Sequence, residues 1–172
     1  AKRLLDGHET LHWELEYPRI FLSNGSAQSP PDNGFNVIMG NPPFLGGKKI
    51  STELGSSFLA YLKGGYAPAS GSADLCAFFF RLGYRILRDG AYLGMVATNT
   101  LAQGDTRATG LAVLIDHGAR ILFAERFVRW PGDASVEVNL VCLGRAFEGA
   151  GNNTEPVLLD GEGVPSISSW LD

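Results

Sequence analysis

Long apolar runs are absent from this sequence. No stretch reaches the roughly 18 consecutive apolar residues of a membrane-spanning helix, and the opening Ala1-Lys2-Arg3-Leu4-Leu5 does not read as a secretory signal. Cysteine is scarce: the 2 thiols, Cys76 and Cys142, stand in apolar surroundings and read as buried free thiols of a cytoplasmic protein. The 3 histidines are scattered, so no metal site is expected. Strong positive charge is also missing. The formal net charge is −4, whereas a protein gripping duplex DNA usually carries a basic face. Positive charge is local instead, at Lys48 and Lys49 and then at Arg107, Arg120, Arg126 and Arg129. That balance argues against stand-alone DNA binding. It is compatible with a catalytic core whose DNA grip lies elsewhere in a polypeptide.

What is present is core material. The 172 residues are 45% hydrophobic, about one domain's worth of foldable chain. The chain does not begin with Met, and the expectation is a piece of a longer protein. Its organising stretch is Phe35-Asn36-Val37-Ile38-Met39-Gly40-Asn41-Pro42-Pro43-Phe44. Val37-Ile38-Met39 reads as a buried strand punctuated by Gly40, and the polar turn follows where open α/β sheets place their ligands. Consecutive prolines fix φ and supply carbonyls without N–H groups, and each pushes the residue before it into an extended conformation. The product is a stiff turn offering two acceptors, the Asn41 side-chain oxygen and the Pro42 carbonyl, with the Phe44 ring just beyond. A planar ring bearing an exocyclic amine suits that set: two N–H bonds are accepted and the ring stacks. The alternative reading is an ordinary Asn-Pro-Pro turn.

Around this stretch the chain reads as follows. Leu11, Trp13, Leu15 and Tyr17 alternate with polar residues, predicting a half-buried extended segment ended by Pro18. Ser23 to Gly34 reads as an exposed loop, and the glycine- and serine-rich Leu45 to Ser72 as a solvated flexible loop or a lid that orders on DNA, with Lys48 and Lys49 near a phosphate backbone. Ser72 is the expected N-cap of a helix whose apolar positions run from Leu75 to Leu87, with Gly90 as its stop. Asp74 in its first turn reads as a helix-dipole carboxylate. Ala91 to Ala97 is an apolar strand with Thr98-Asn99-Thr100 at its end, and Gly110 to His117 a helix. Arg107 is a candidate phosphate contact or a solvated arginine. Ile121-Leu122-Phe123-Ala124 and Val136 to Leu143 are strands, and the turn between them presents Trp130. From Phe147 the sequence reads as a linker with a short strand at Val157-Leu158-Leu159. Strand and helix alternation predicts an α/β fold.

Gly40 to Phe44 resembles motif IV, the (D/N/S)-P-P-(Y/F/W) signature of amino-group methyltransferases. The wider chain, roughly 10 to 145, resembles adenine-N6 DNA methyltransferases, in particular the methylase part of bifunctional type II (type IIG-like) restriction–modification enzymes. His12-Trp13-Glu14-Leu15-Glu16-Tyr17-Pro18, Ser72-Ala73-Asp74-Leu75-Cys76-Ala77-Phe78-Phe79, Ala97-Thr98-Asn99-Thr100-Leu101-Ala102-Gln103-Gly104-Asp105-Thr106-Arg107 and Trp130-Pro131-Gly132-Asp133-Ala134-Ser135-Val136 carry the likeness.

The resemblance implies a partial Rossmann-like class I methyltransferase domain, a mostly parallel sheet with a C-terminal antiparallel strand. It implies a lead-in at 1–34, the C-terminal half of the catalytic domain at 35–146, and a linker or start of the next domain at 147–172. It implies S-adenosylmethionine as cofactor, approached by Asn41 and Asp74, and double-stranded DNA with a flipped adenine as substrate. Asn41 and Pro42 would accept bonds from the adenine amine, Pro43 would stiffen the turn, Phe44 would stack and Trp130 would clamp the far face. The methyl group would pass in line from the sulfonium to N6. Partners would be the rest of the methyltransferase, target-recognition and, where fused, nuclease domains of a bacterial cytoplasmic parent.

Motif IV alone is shared with methyltransferases of RNA and of protein glutamine. A non-catalytic nucleic-acid-binding module is a further alternative. No Gly-x-Gly loop followed by an acidic strand end occurs ahead of the Asn-Pro-Pro-Phe turn, and no P-D…(D/E)-x-K nuclease pattern occurs in the sequence. The expectation is that the 172-residue chain alone binds S-adenosylmethionine weakly and is inactive.

Overall fold

A computed structural model describes residues 11–23, 26–27, 33–130, 136–146 and 156–172. Six strands form one sheet: β1 (Phe35–Gly40), β2 (Leu87–Thr98), β3 (Ala119–Arg129), β4 (Glu137–Arg145), β5 (Val157–Leu159) and β6 (Glu162–Val164). Their spatial order is β1-β2-β4-β3-β5-β6. β1 runs parallel to β2 and β3 parallel to β5, while β4 and β6 run antiparallel to their neighbours. Four strands therefore share one direction and two oppose it. This is the expected α/β arrangement, with the antiparallel β4 inserted between β2 and β3.

The helices are α1 (Gly47–Glu53), α2 (Ser56–Gly65), α3 (Leu75–Arg85), α4 (Gly104–Thr109) and α5 (Leu111–Asp116), with a 3₁₀ turn at Asn99–Ala102. β2 alternates strictly, its odd-numbered residues from Leu87 to Ala97 buried. They meet Cys76, Phe80 and Tyr84 of α3, while Leu111 and Leu114 of α5 join Ile121 and Ala124 of β3 in the same core. The even-numbered side of β2 is different. Gly94 and Val96, with Leu140 and Cys142, line an apolar hollow of about 470 Å³.

Several expectations are corrected. Val37 and Met39 are 56% and 81% exposed rather than buried. Among the described residues β1 is an edge strand with a neighbour on one side only; its Phe35 packs against Trp13, Tyr17 and Phe21 and its Ile38 against the main core, while Val37 and Met39 are left uncovered. Trp13 and Tyr17 do not lie on an extended segment: Trp13–Glu16 and Pro18–Phe21 are single helical turns, and Pro18 opens the second instead of ending the first. Proline suits that position because its missing N–H is not needed there. Leu45 to Ser72 is not a loop lid. It holds α1 and α2, whose Ile50 and Leu62 build a second core with Tyr66, Leu75 and Phe78. Gly47 is required there because a Cβ would lie 2.3 Å from the Ser72 carbonyl carbon.

The α3 N-cap is Asp74, not Ser72. Gly90 does not end that helix. Its φ of +70° falls inside β2, where Phe35 pairs with Leu87 but Val37 with Tyr92, so β2 bulges between them. Within the expected Ser23–Gly34 loop, Ser26–Ala27 pairs with Leu22–Ser23, and most of the rest lies outside the described residues. The expected linker at 147–172 includes β5 and β6, and its Val157, Ile167 and Leu171 are buried in the main core. No helix among the described residues is long and apolar enough to cross a membrane.

Candidate active site

β1 ends at Gly40, and the prolines that follow cannot donate to the ladder, so the chain leaves the sheet as an irregular turn from 41 to 46. Pro42 is buried, whereas Asn41, Pro43 and Phe44 are exposed. Among the described residues, neither the Asn41 carboxamide nor the Pro42 carbonyl has a hydrogen-bond partner. The turn presents its two acceptors unspent.

Its far end is tied down. The Leu75 N–H, at the start of α3, donates to the Leu45 carbonyl at 2.9 Å. Asp74 is the joint: its Oδ1 accepts from the Cys76 N–H at 2.9 Å, and its own N–H donates to Thr106 Oγ1 at 3.0 Å. A capping carboxylate satisfies an otherwise orphaned donor and meets the positive end of the helix. Burial, and secondarily the neighbouring Asp74 carboxylate, push the Cys76 thiol well above its ordinary range, so it stays protonated. The turn, the start of α3 and α4 are thereby one hydrogen-bonded unit. Thr106 was not singled out in the sequence; a threonine one residue before Arg107 gives no sign of reaching across 32 positions to Asp74.

A cleft of about 480 Å³ opens beside the turn, lined among others by Trp13, Tyr17, Phe35, Asn41, Pro42 and Phe79. The lead-in segment supplies its aromatic wall. Trp13, Tyr17 and Phe21 surround Phe35 at centroid distances of 5.6, 5.5 and 5.4 Å, each edge-on, the geometry aromatic quadrupoles favour. Sequence reading placed Trp13 and Tyr17 on a packing segment and missed that they border the site.

Register puts the other elements at the same end of the sheet. Gly40 pairs with Met95, Thr98 with Val138, and Arg129 with Glu137. The ends of β1, β2 and β3 and the start of β4 therefore point one way. Trp130 follows β3 there, its N–H donating to the Val136 carbonyl at 3.0 Å. Three strand spacings, about 14 Å, separate the β1 line from the β3 line. Pro131 to Ser135, between β3 and β4 in the sequence, lie outside the described residues. At the end of β2 the Asn99 Oδ1 is buried without a partner.

The basic candidates divide. Lys48 and Lys49 stand exposed on α1, two residues past Gly46 and beside the turn. Arg107 is engaged inside the chain: its guanidinium lies 3.7 Å from the Trp170 ring centroid and donates to Ser169 Oγ at 2.8 Å. Arg126 is likewise committed, to Asp160 at 2.7 Å and to the Leu171 carbonyl. Among the described residues no group of three or more His, Cys, Asp or Glu side chains gathers as a metal site.

Comparison with known proteins places this geometry in a family. Part of the type IIL restriction–modification enzyme MmeI, solved in complex with DNA, superposes with a TM-score of 0.61 at 21% identity over 79% of this chain. A Listeria monocytogenes protein (lmo1582), described as a class I S-adenosylmethionine-dependent methyltransferase, superposes at 0.55 with 13% identity over 73%. The matched regions span only 19% and 36% of those chains. A search of curated proteins returns no match. Residues 1–115 match the model of the Eco57I restriction-modification methylase family. The chain, with its methyltransferase fold and its Asn-Pro-Pro-Phe turn at the end of β1, belongs to the Eco57I restriction-modification methylase family.

Proposed function

We propose that this chain is part of a DNA methyltransferase that modifies adenine N6, within a restriction–modification or phage-defence system of the bacterial cytoplasm. Residues 35–146 would be the C-terminal half of its catalytic domain, with 1–34 as lead-in. The observation that carries this reading is the pair of unspent acceptors, Asn41 Oδ1 and the Pro42 carbonyl, on a turn whose far end is anchored to α3.

An aromatic amine is a poor nucleophile because its lone pair is delocalised into the ring. Accepting both its N–H bonds favours the pyramidal geometry in which the lone pair is available, and it fixes the direction of attack. The stiff proline turn holds those acceptors in place without reorganisation. Phe44 offers a stacking face to the flipped base, and Trp130 covers it from the hairpin, offsetting the cost of unstacking. The proton is lost to solvent, so no strong base is needed. Lys48 and Lys49 neutralise backbone phosphates nearby.

S-adenosylmethionine, when bound, supplies an electrophilic sulfonium methyl. The chain fits one side of that cofactor: Asn41 is exposed at the strand end, and Asp74 keeps one carboxylate oxygen beyond the one that caps α3. No Gly-x-Gly loop for the remainder precedes the Asn-Pro-Pro-Phe turn in these residues, and the rest of the parent domain would supply it. The test is transfer of labelled methyl to unmethylated DNA by the full-length parent, with digestion to nucleosides. N6-methyladenine as the product supports the reading. Label in RNA or in protein glutamine, with DNA unlabelled, overturns it in favour of those substrates.

A further inference from the structure

Phe127 combines features that the fold itself does not explain. Its φ is +56°, a left-handed backbone on a bulky residue, which is sterically disfavoured and rare outside glycine and asparagine. It lies in a register shift of β3, where Glu125 pairs with Leu140 but Val128 with Val138. The conformation is held by a dedicated contact, the Phe127 N–H donating to Oδ1 of Asn139 at 3.2 Å. Asn139 is only 3% exposed, so the core commits a buried amide to that bend. Yet the ring so aimed is 58% exposed, and burial of the ring gives the fold little in return. A bulge that re-aims an exposed side chain, with strain concentrated on it, is a common feature of functional rims.

Its place in the sheet says what the ring faces. Val128 pairs with Val138 and Val138 with Thr98, while Gly40 pairs with Met95. Phe127, one position before Val128, therefore stands about two residues, or ~7 Å, beyond the level of Gly40, toward the end that carries the Asn41–Phe44 turn. β2 and β4 separate it from β1, and on its other side β5 pairs with β3 only at Phe123 and Ala124, so among the described residues no strand flanks Phe127 there. Trp130 follows three positions later on the same rising hairpin.

We propose that Phe127 is a second nucleic-acid contact of this hairpin, its ring stacking on a base flanking the target nucleotide. The inference rests on the proposed function above. When a nucleotide leaves the duplex, apolar faces of the neighbouring bases are exposed, and an aromatic side chain pressed against one of them restores the lost stacking. A pre-bent backbone presents the ring without loss of loop entropy at the moment of binding.

The experiment uses the full-length parent and duplex DNA carrying 2-aminopurine beside the target adenine, comparing wild type with Phe127→Asn and Phe127→Tyr. Asparagine tolerates the left-handed conformation but cannot stack. Phe127→Asn is expected to leave Tm unchanged or raise it by about 2–4 °C, to raise KM for DNA about tenfold or more, and to abolish protein-dependent 2-aminopurine quenching. Phe127→Tyr is expected to behave as wild type in all three. A clear drop in Tm for Phe127→Asn, marking the ring as structural, or unchanged KM and quenching, overturns the proposal. A wild-type parent that methylates no DNA overturns the functional reading and this inference with it, whereas a wild type that methylates while Phe127→Asn matches it overturns this inference alone.

Discussion

Replacing Asp74 by alanine uncaps α3, while the backbone bonds from Leu75 N–H to Leu45 and from the residue 74 N–H to Thr106 remain. The loss is confined to one acceptor, Oδ1, which satisfies the Cys76 N–H at 2.9 Å. Cys76 is fully buried, so water cannot take over that donor. An N-cap is worth about 1 kcal/mol, and stranding a buried donor costs roughly 1–3 kcal/mol. These figures describe the same bond and do not add, so a destabilisation of about 1.5–3 kcal/mol follows. For a chain of this size that corresponds to a fall in Tm of roughly 4–10 °C. Asparagine caps about as well as aspartate, so Asp74→Asn should stay within ~0.5 kcal/mol of wild type. Urea and thermal unfolding of both variants measure this directly. Should Asp74→Ala unfold like wild type, the side chain does not stabilise the helix; should Asp74→Asn unfold like Asp74→Ala, the charge rather than the cap matters.

Three further outcomes are expected. Gly47→Ala places a Cβ 2.3 Å from backbone of Ser72, which cannot yield as a side chain would, so a loss of about 1–3 kcal/mol is expected in urea unfolding; unchanged stability would mean that α1 does not dock as described. Hydrogen bonds from Arg126 hold the Asp160 carboxyl below its ordinary value of 3.8. A depressed folded-state pKa contributes stability that is complete above the ordinary value and is lost as pH falls through the lowered one. Urea midpoints between pH 5 and pH 2.5 should therefore fall less steeply in Asp160→Asn, and equal slopes would count against the pair. Titration of the 172-residue chain with S-adenosylmethionine should give no heat of binding at concentrations that saturate the full-length parent; saturable binding by the chain alone would show that its residues suffice for the cofactor.

Much of this arrangement was legible in the sequence because it is written in local chemistry. Asn41-Pro42-Pro43-Phe44 announces a rigid acceptor turn whatever surrounds it, and the apolar spacing from Leu75 onward and the run from Ala91 to Ala97 fix a helix and a strand. Trp130 in its turn between two strands was likewise visible. Burial was harder to read. Val37 and Met39 have strand chemistry, but whether a strand lies inside or at an edge depends on neighbours that no local pattern encodes. Gly46-Gly47 suggested a flexible loop, whereas Gly47 marks close approach to Ser72, a tertiary fact. The i, i+3, i+4 set Phe58, Tyr61 and Leu62 was masked by surrounding serine and glycine.

Long-range partners were out of reach altogether. Nothing near Arg107 points to Trp170, and nothing near Asp74 points to Thr106. Gly90 misled for a related reason: a glycine with positive φ ends helices and also bends strands, and here it does the second inside β2.

The role proposed for Asn41 and Pro42 is to hold the amine of a target base. It is tested most directly by single-turnover methyl transfer from S-adenosylmethionine to unmethylated DNA, comparing the full-length parent with its Asn41→Ala variant and with cofactor binding measured in parallel. Loss of one acceptor aimed at the reacting amine predicts a rate lower by about 10²–10³ with cofactor affinity retained. A variant that transfers methyl groups to adenine N6 at the wild-type rate would contradict it.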